Sequence, residues 1–340
     1  MPRYTEDQQL LAESAEELLG DVTPDRFRSL RDSGQKQDDE LWAQMVELGW
    51  TGIPYAEDDG GMGWGLPEIV IVMEALGRRL ALAPMLSSVI GTLDPSAGAM
   101  EGRVVSLGWQ EAECRGTLGL KPCVTRFADG CLTGAKTHVL DGGSAEIFLV
   151  TAMAGDGLGL FRVDGAHAQR CPLQRIDHRD AAHILFENAP AERVDTTEEE
   201  IGRVVDQATL ALSAEMLGGA QAALDATIAY LKERIQFDVP IGSFQALQHR
   251  TVDCYISIEL ARAAVYAAAR NPSQELVSLA KTRCNDAYLS TAKESIQLHG
   301  GIGMTDEHYI GFHLKRAHVA SQCFGTSAQH RDRWGRNRGY

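Results

Sequence analysis

Apolar residues recur at Leu10, Leu11, Ala15, Leu18 and Leu19 with the spacing of one helical face, and Thr5 stands where an N-cap belongs. A second helix is expected to start after Pro24, a third to run over 38–48 and end at Gly49, and an apolar fourth to cover 66–82. Residues 50–65, dense in glycine and acidic side chains, read as a loop. After Pro95 the texture changes. Short runs of β-branched and aliphatic residues at 104–109, 118–120, 131–133, 136–140, 147–151, 158–163 and 183–186 are punctuated by Gly, Asp and Asn, the pattern of a small antiparallel barrel or sandwich. A charged stretch at 192–200 leads into a second helical block, with helices expected over 199–237, 245–270, 273–298 and 306–334. Four long helices with short connections predict an antiparallel bundle. The chain therefore reads as mostly α with a central small β-barrel domain: a helical domain over 1–100, the barrel over 101–195 and a helical bundle over 196–340.

With 340 residues the chain is long enough for two or three domains. Its formal net charge of −15 argues against a nucleic-acid-binding surface, which needs clustered Lys and Arg. Seven cysteines, an odd number without a C-x-x-C pair, point neither to zinc nor to a disulfide framework, and a reducing, cytoplasmic setting fits best. The polar first residues do not read as a signal peptide, and no apolar run approaches the ~20 residues of a membrane span.

The densest candidate chemistry lies between Tyr230 and Arg250. Arg234 and Gln236 precede Phe237 at a helix end, Pro240 and Gly242 turn the chain, and Phe244, Gln245 and Gln248 open the next helix. A guanidinium fork and amides beside a tight turn can grip a diphosphate or another anion bidentately; a solvated helical hairpin has the same pattern.

The run Arg-x-Gln-Phe-x-x-Pro-Ile-x-x-Phe-Gln-x-x-Gln-His resembles the signature of the acyl-CoA dehydrogenase family. Further matches follow in order: Leu48 to Pro54, Asp59 to Gly63, Glu74 to Arg78, Gln297 to Gly303, and Glu307-His308. The resemblance implies the order helical domain, barrel and bundle, with FAD held between the barrel of one subunit and the bundle of its neighbour. It also implies an acyl-CoA substrate and electron-transfer flavoprotein as acceptor. Residues like Arg234, Gln236, Phe237, Phe244 and Gln245, together with the turn of Gln297, Gly300 and Gly301, are those a subunit contributes to its neighbour's cofactor. Thr326 is carried over as a further cofactor contact. Asp238 departs from the family's usual glycine, and a carboxylate there repels a diphosphate unless Lys232 or Arg250 compensates.

The part a subunit supplies to its own flavin departs further. Where the family has an acidic-Pro-x-Ala-Gly-Ser type of loop, this chain has Trp109 to Arg115. Its Trp-x-Thr, which stacks on the flavin and bonds N5, corresponds to His138-Val139-Leu140, and Leu140 has no donor to give. The α-proton of an acyl-CoA must be taken by a carboxylate within hydrogen-bond reach. The family's usual glutamate before Gly-Thr is Phe324 here, and the alternative position early in the bundle is Ala208. Glu215, seven residues on and about 10 Å along nearly the same helix face, is the remaining candidate base; the favoured reading is that it pairs with a nearby Arg or Lys or tops a helix contact. The remaining histidines, among them His249, His299, His308 and His313, have no metal-ligand spacing and are expected at the surface or as satisfied core residues.

Three readings follow. The first is a subunit resembling the degenerate partner in heteromeric bacterial members that oxidise bulky, steroid-type thioesters. The second is a self-sufficient homo-oligomeric flavoenzyme using Glu215. The third is a non-redox binding or scaffold protein on the same fold.

Overall fold

In the computed structural model, which describes residues 4–112 and 118–340, helices precede and follow a sheet along the chain, in the expected order. Helix α1 (Glu6–Leu18) begins with a reciprocal capping box between Thr5 and Gln8. It is followed by α2 (Pro24–Ser33), α3 (Asp39–Glu47), α4 (Leu66–Arg78) and α5 (Leu86–Gly91). The last is a short buried helix that the apolar pattern does not separate from its surroundings.

Eight strands form one sheet: β1 (Val105–Gly108), β2 (Arg126–Ala128), β3 (Cys131–Leu140), β4 (Ile147–Ala154), β5 (Gly157–Asp164), β6 (Gln169–Pro172), β7 (Ala181–Pro190) and β8 (Glu192–Val194). Their order is β6-β7-β3-β2-β4-β5-β8, with β1 alongside β4. The β1–β4 and β2–β4 pairs are parallel and the rest antiparallel. Leu132 of β3, Phe148 and Val150 of β4, Phe161 of β5 and Phe186 of β7 share one apolar core. Strands far apart along the ladder reach that common core, as a sheet wrapped around its own interior does. Residues 118–120, expected as a strand, carry none.

The second helical block comprises α6 (Glu198–Glu233), a two-stranded hairpin of β9 (Ile235–Gln236) and β10 (Val239–Pro240), α7 (Gln245–Arg270), α8 (Gln274–His299), α9 (Ile310–Ala320) and α10 (Ser327–Asn337). Two expectations are corrected here. The first helix stops at Glu233 rather than 237, because Ile235 and Gln236 leave it to pair with Pro240 and Val239. The single helix over 306–334 is two: Phe324 and Gly325 at φ +54° and +108° break it, and a capping box between Thr326 and Gln329 starts α10.

The chain divides into two compact units. One contains Leu30–Gly65 and Leu82–Ala208, hence the sheet; the other contains the chain up to Ser29, Leu66–Ala81 and Thr209–Tyr340. Within the latter, α4 and α6 meet backbone to backbone. A Cβ on Gly77 would lie 1.9 Å from the carbonyl oxygen of Glu215, and one on Gly218 would lie 1.9 Å from that of Glu74. Helix propensity favours alanine over glycine by about 1 kcal/mol, so the glycines stand here for close approach rather than for helix formation. Polar ties join α4 to α7: the Glu74 carboxylate accepts from Arg262 and from the Tyr266 hydroxyl (3.0 Å), both on α7.

Gly218→Ala is therefore expected to destabilise the protein by about 1–3 kcal/mol despite its higher propensity. A lower urea midpoint with an unchanged slope is the expected result, and an unchanged or raised midpoint would contradict the crossing.

Candidate functional site

The hairpin after α6 is a tight two-residue turn. Phe237 and Asp238 both take positive φ (+54° and +63°), which a type I′ turn requires at both central residues. Of the non-glycine residues, aspartate is among the more tolerant of this region, so Asp238 serves the geometry that glycine would otherwise serve. Arg234 joins helix to hairpin: its N–H donates to Tyr230 O and its carbonyl accepts from Ile241 N–H, each at 2.8 Å. Arg234, Gln236 and Gln245 are exposed, Phe237 is 85% exposed, and Phe244 packs edge-on against Phe237 with ring centroids 6.0 Å apart. Arg250, considered as compensation for Asp238, is paired with Glu294 at 2.5 Å.

At the far end of α8, Gln297 is exposed on the last turn and Gly300 follows at φ +64°. A Cβ at Gly300 or Gly301 would meet nothing within 4 Å, so a ligand can approach the backbone closely there, while the Gly300 N–H itself caps α8 by donating to the Gln297 carbonyl. Exposed guanidinium, amides, aromatic rings and open glycine backbone form a donor set suited to a dinucleotide diphosphate and its rings.

On the sheet, His138 lies at φ +53° where the β3–β7 register slips between Lys136 and Val139. It is exposed, its N–H donates to His183 Nδ1 (3.3 Å), and the two imidazoles meet edge to face at 4.9 Å. Leu140 is half-buried opposite Ala181. The remodelled loop from Trp109 is described up to Ala112; Glu113, Cys114 and Arg115 lie outside the described residues.

The positions compared for a base are occupied as follows. Ala208 is fully buried. Phe324 is buried, its carbonyl accepting from His330 Nε2 (2.9 Å), while Lys281 donates to Ala320 O (2.7 Å) at the end of α9. The turn bearing Phe324 is thus held on both sides. Thr326 is the N-cap of α10. Glu215, 5% exposed, accepts from Arg316 of α9 at 2.7 Å, a buried ion pair.

Several polar residues here escape sequence reasoning. Lys136, fully buried, donates to Glu111 (2.6 Å) and to the Thr151 hydroxyl (3.1 Å), and Glu111 also accepts from Thr125 and from the Val124 N–H. Burial alone would raise the Glu111 pKa; the Lys136 ammonium and these donors outweigh it and hold the carboxyl below its ordinary range. The available signal is parity, since Lys136 lies four residues after inward-facing Leu132. His330 is held neutral chiefly by burial, its pKa pushed down to about 3 with the nearby Arg333 and Lys281 charges assisting. Lys281, also fully buried, is lowered to about 8 by desolvation.

Among the described residues no cluster of three or more His, Cys, Asp or Glu could hold a metal ion, and no helix is long and apolar enough to cross a membrane.

Residues 5–95 match the family model of the acyl-CoA dehydrogenase N-terminal domain, and residues 202–338 that of the C-terminal domain. The chain is 31% identical to acyl-CoA dehydrogenase IpdE2 of Mycolicibacterium smegmatis over 327 residues, 94% of this chain and 95% of that one. Among solved structures it is similar to the ChsE4–ChsE5 complex from Mycobacterium tuberculosis, with a TM-score of 0.90, 28% identity, and 99% of this chain and 98% of that chain covered. A variant of the Tcur3481–Tcur3483 steroid ACAD gives a TM-score of 0.89 at 27% identity, with 97% of each chain covered.

Two of these groups give stability a pH dependence of definite sign. His330 is lowered in the folded state, so the unfolded chain binds its proton first: stability is full above the ordinary value of 6.5 and falls from there toward about 3. Glu111 acts in the same direction lower down, its contribution present above 4.5 and lost below. Urea unfolding from pH 7 to pH 4 should show falling stability, and His330→Gln should flatten the upper part of that slope.

Proposed function

This chain belongs to the acyl-CoA dehydrogenase family, and we propose that it serves as a subunit that contributes Arg234, Gln236, Phe237, Phe244, Gln245, Gln297, Gly300 and Gly301 to an FAD held jointly with a homologous partner. The observation that carries this reading is the asymmetry of the two halves. The contributed half is formed and open, whereas each position compared for a base holds a buried alanine, a buried phenyl ring or a carboxylate already paired with Arg316. A phenyl ring takes no proton.

FAD, when bound, supplies the hydride acceptor for α,β-dehydrogenation of the acyl-CoA. This chain's own part is to grip and orient: the Arg234 fork and the Gly300–Gly301 backbone face the anionic region, and Phe237 with Phe244 offers a ring surface. His138 and Leu140 stand at the ring-facing position of its own sheet, Thr326 is a further contact, and the base belongs to the partner. The partner is a homologous subunit in a heterotetramer, the substrate is a bulky, steroid-type thioester, the acceptor is electron-transfer flavoprotein and the setting is cytoplasmic. The likeness to a two-protein complex and to a steroid ACAD supports the heteromeric and substrate parts.

A second observation favours oligomerisation. Val252, Tyr255, Ile256 and Leu260 are each about half exposed on one face of α7, and Ile235 and Phe237 are exposed on the hairpin that precedes it. An exposed apolar helix face of this kind supports a partner site.

The test is flavin content and dye-linked turnover of several acyl-CoA thioesters, by the chain alone and co-expressed with a homologous subunit from the same source. The expected result is little flavin and near-background turnover alone, because a missing general base costs about 10²–10⁴-fold, with both restored by the partner. Robust activity of the chain alone would overturn this, and its loss in Glu215→Gln with an unchanged urea midpoint would assign it to a relocated base. No gain with any partner would favour a binding protein. An active, flavin-loaded monomer is incompatible with a shared site.

Arg234→Ala in the assembled oligomer should reduce flavin affinity by roughly 10- to 100-fold, since a charge-assisted hydrogen bond contributes about 1.5–3 kcal/mol. Unchanged retention would remove Arg234 from the site.

A further inference from the structure

We propose that Tyr230, His299 and His308 form a positioning cluster that couples the Arg234 hairpin to the Gly300–Gly301 turn, so that two segments distant in sequence are ordered as one anion-binding unit. The inference rests on the reading that these two segments serve the same FAD.

The two segments follow the C-terminal ends of different helices. Tyr230 lies one turn before Arg234, and its carbonyl accepts the Arg234 N–H. His299 is the last residue of α8, immediately before Gly300. The Tyr230 and His299 rings stack at 4.4 Å with planes 24° apart, a direct bridge between the two helix ends. His308 closes a triangle, 4.5 Å from His299 and 6.5 Å from Tyr230, and stacks in turn on Tyr309 at 4.9 Å. Beyond it, Arg28 of α2 donates to the carbonyls of Asp306 and Glu307, each at 3.1 Å, and anchors the segment that carries His308.

Hydrogen bonding fixes the ring states. A carbonyl only accepts, so His299 Nδ1 carries the proton it gives to Ser295 O at 2.7 Å. Its Nε2 is then the basic nitrogen; it is buried and has no hydrogen-bond partner among the described residues. His308 Nδ1 accepts the Ile310 N–H at 3.1 Å, which likewise requires that nitrogen unprotonated. His308 is neutral in this arrangement, burial of the unpartnered Nε2 disfavours a second proton on His299, and neutral rings stack without charge repulsion.

The groups facing the pair are Tyr230 from α6, Ser295 from α8, Arg28 from α2, the 306–309 segment, in which Asp306 and Glu307 present carbonyls and Tyr309 its ring, and Lys315 of α9, which pairs with Asp306 at 3.8 Å. Burial lowers both histidines below their ordinary value, and for His308 the charges of His299 and Arg28 add to that. The cluster is therefore closed at neutral pH. Acidification would place two imidazolium rings against each other and against Arg28, and would disfavour the stack.

Hydrogen exchange read by mass spectrometry on the full chain, with and without its partner, tests the coupling. The diagnostic segment is the 235–240 hairpin, which contains none of the mutated residues. His299→Ala should speed exchange there by roughly 3- to 10-fold, the size that one lost ring–ring contact supports, while His299→Phe should preserve wild-type protection. After correction for intrinsic rates, hairpin exchange should rise on acidification more in wild type than in His299→Phe, the part common to both reflecting the general loss of stability through His330. Loosening confined to 296–305, with an unaltered hairpin, would overturn the proposal, as would an equal pH response in wild type and His299→Phe. That comparison decides the question even if His299→Ala does not fold. FAD retention is read in parallel: coupling present with retention indifferent to Arg234→Ala would leave the cluster standing and remove the shared-FAD reading, and the reverse result would do the opposite.

Discussion

Glu215 is the residue on which three helices close. Its carbonyl lies against Gly77 of α4, its own helix is α6, and its carboxylate takes a hydrogen bond from Arg316 of α9. A carboxylate and a guanidinium removed from water stay folded only while they face each other; removing one partner of such a pair costs about 3–5 kcal/mol. The close backbone approach at Gly77 and Gly218 fixes α6 against α4, while the Arg316 pair fixes it to α9. The carboxylate that stands in sequence as the candidate base is thereby committed to an ion pair within the bundle.

The same economy of carboxylates recurs elsewhere. Glu74 joins α4 to α7 through Arg262 and Tyr266, and Glu111 is held inside the sheet by Lys136 and its neighbours. Each is buried and multiply hydrogen-bonded, which is how an interior tolerates charge. Around Phe324 the polar groups act on the backbone instead. Lys281 and His330 fasten carbonyls on either side of a residue at positive φ, a conformation that costs of order 1–3 kcal/mol and persists only where the surroundings impose it. The turn is held in shape by its neighbours with a buried phenyl ring in it.

The two halves of the candidate site are built by different means. The hairpin and the α8 turn are backbone devices, made by positive φ at Phe237, Asp238 and Gly300, and they leave the Phe237 and Asp238 side chains and the glycine backbone exposed. The sheet positions depend on a register slip that places His138 against His183. Backbone devices survive many side-chain changes, whereas the sheet positions change character with each substitution. One half exposed and formed, the other remodelled, is what a subunit that completes another chain's site would present.

Much of this is legible in the residues alone. Helical periodicity, the switch to short β-branched runs after Pro95 and the return to long amphipathic segments determine the order helix, sheet, helix, since these signals are local and repeat along the chain. The run from Arg234 to His249 marks a chain reversal through Pro240 and Gly242, since turn residues act locally, but not the β9–β10 hairpin, whose first strand falls where the helix was expected to continue. Helix ends are less legible. The break near Phe324 is marked only by Gly325 and the Thr326–Gln329 capping box that follow it, and the positive φ at the bulky Phe324 is held from outside, by Lys281 and His330, rather than by its own propensity. Pairings across the fold cannot be read from the chain at all. Whether Glu215 faces solvent, substrate or Arg316, and whether Lys136 meets Glu111, depends on which helices and strands lie side by side, and burial then converts that proximity into an obligatory ion pair. Tertiary structure decides the state of every such buried charge, because the cost of removing a charge from water is set by what surrounds it and not by its place in the chain.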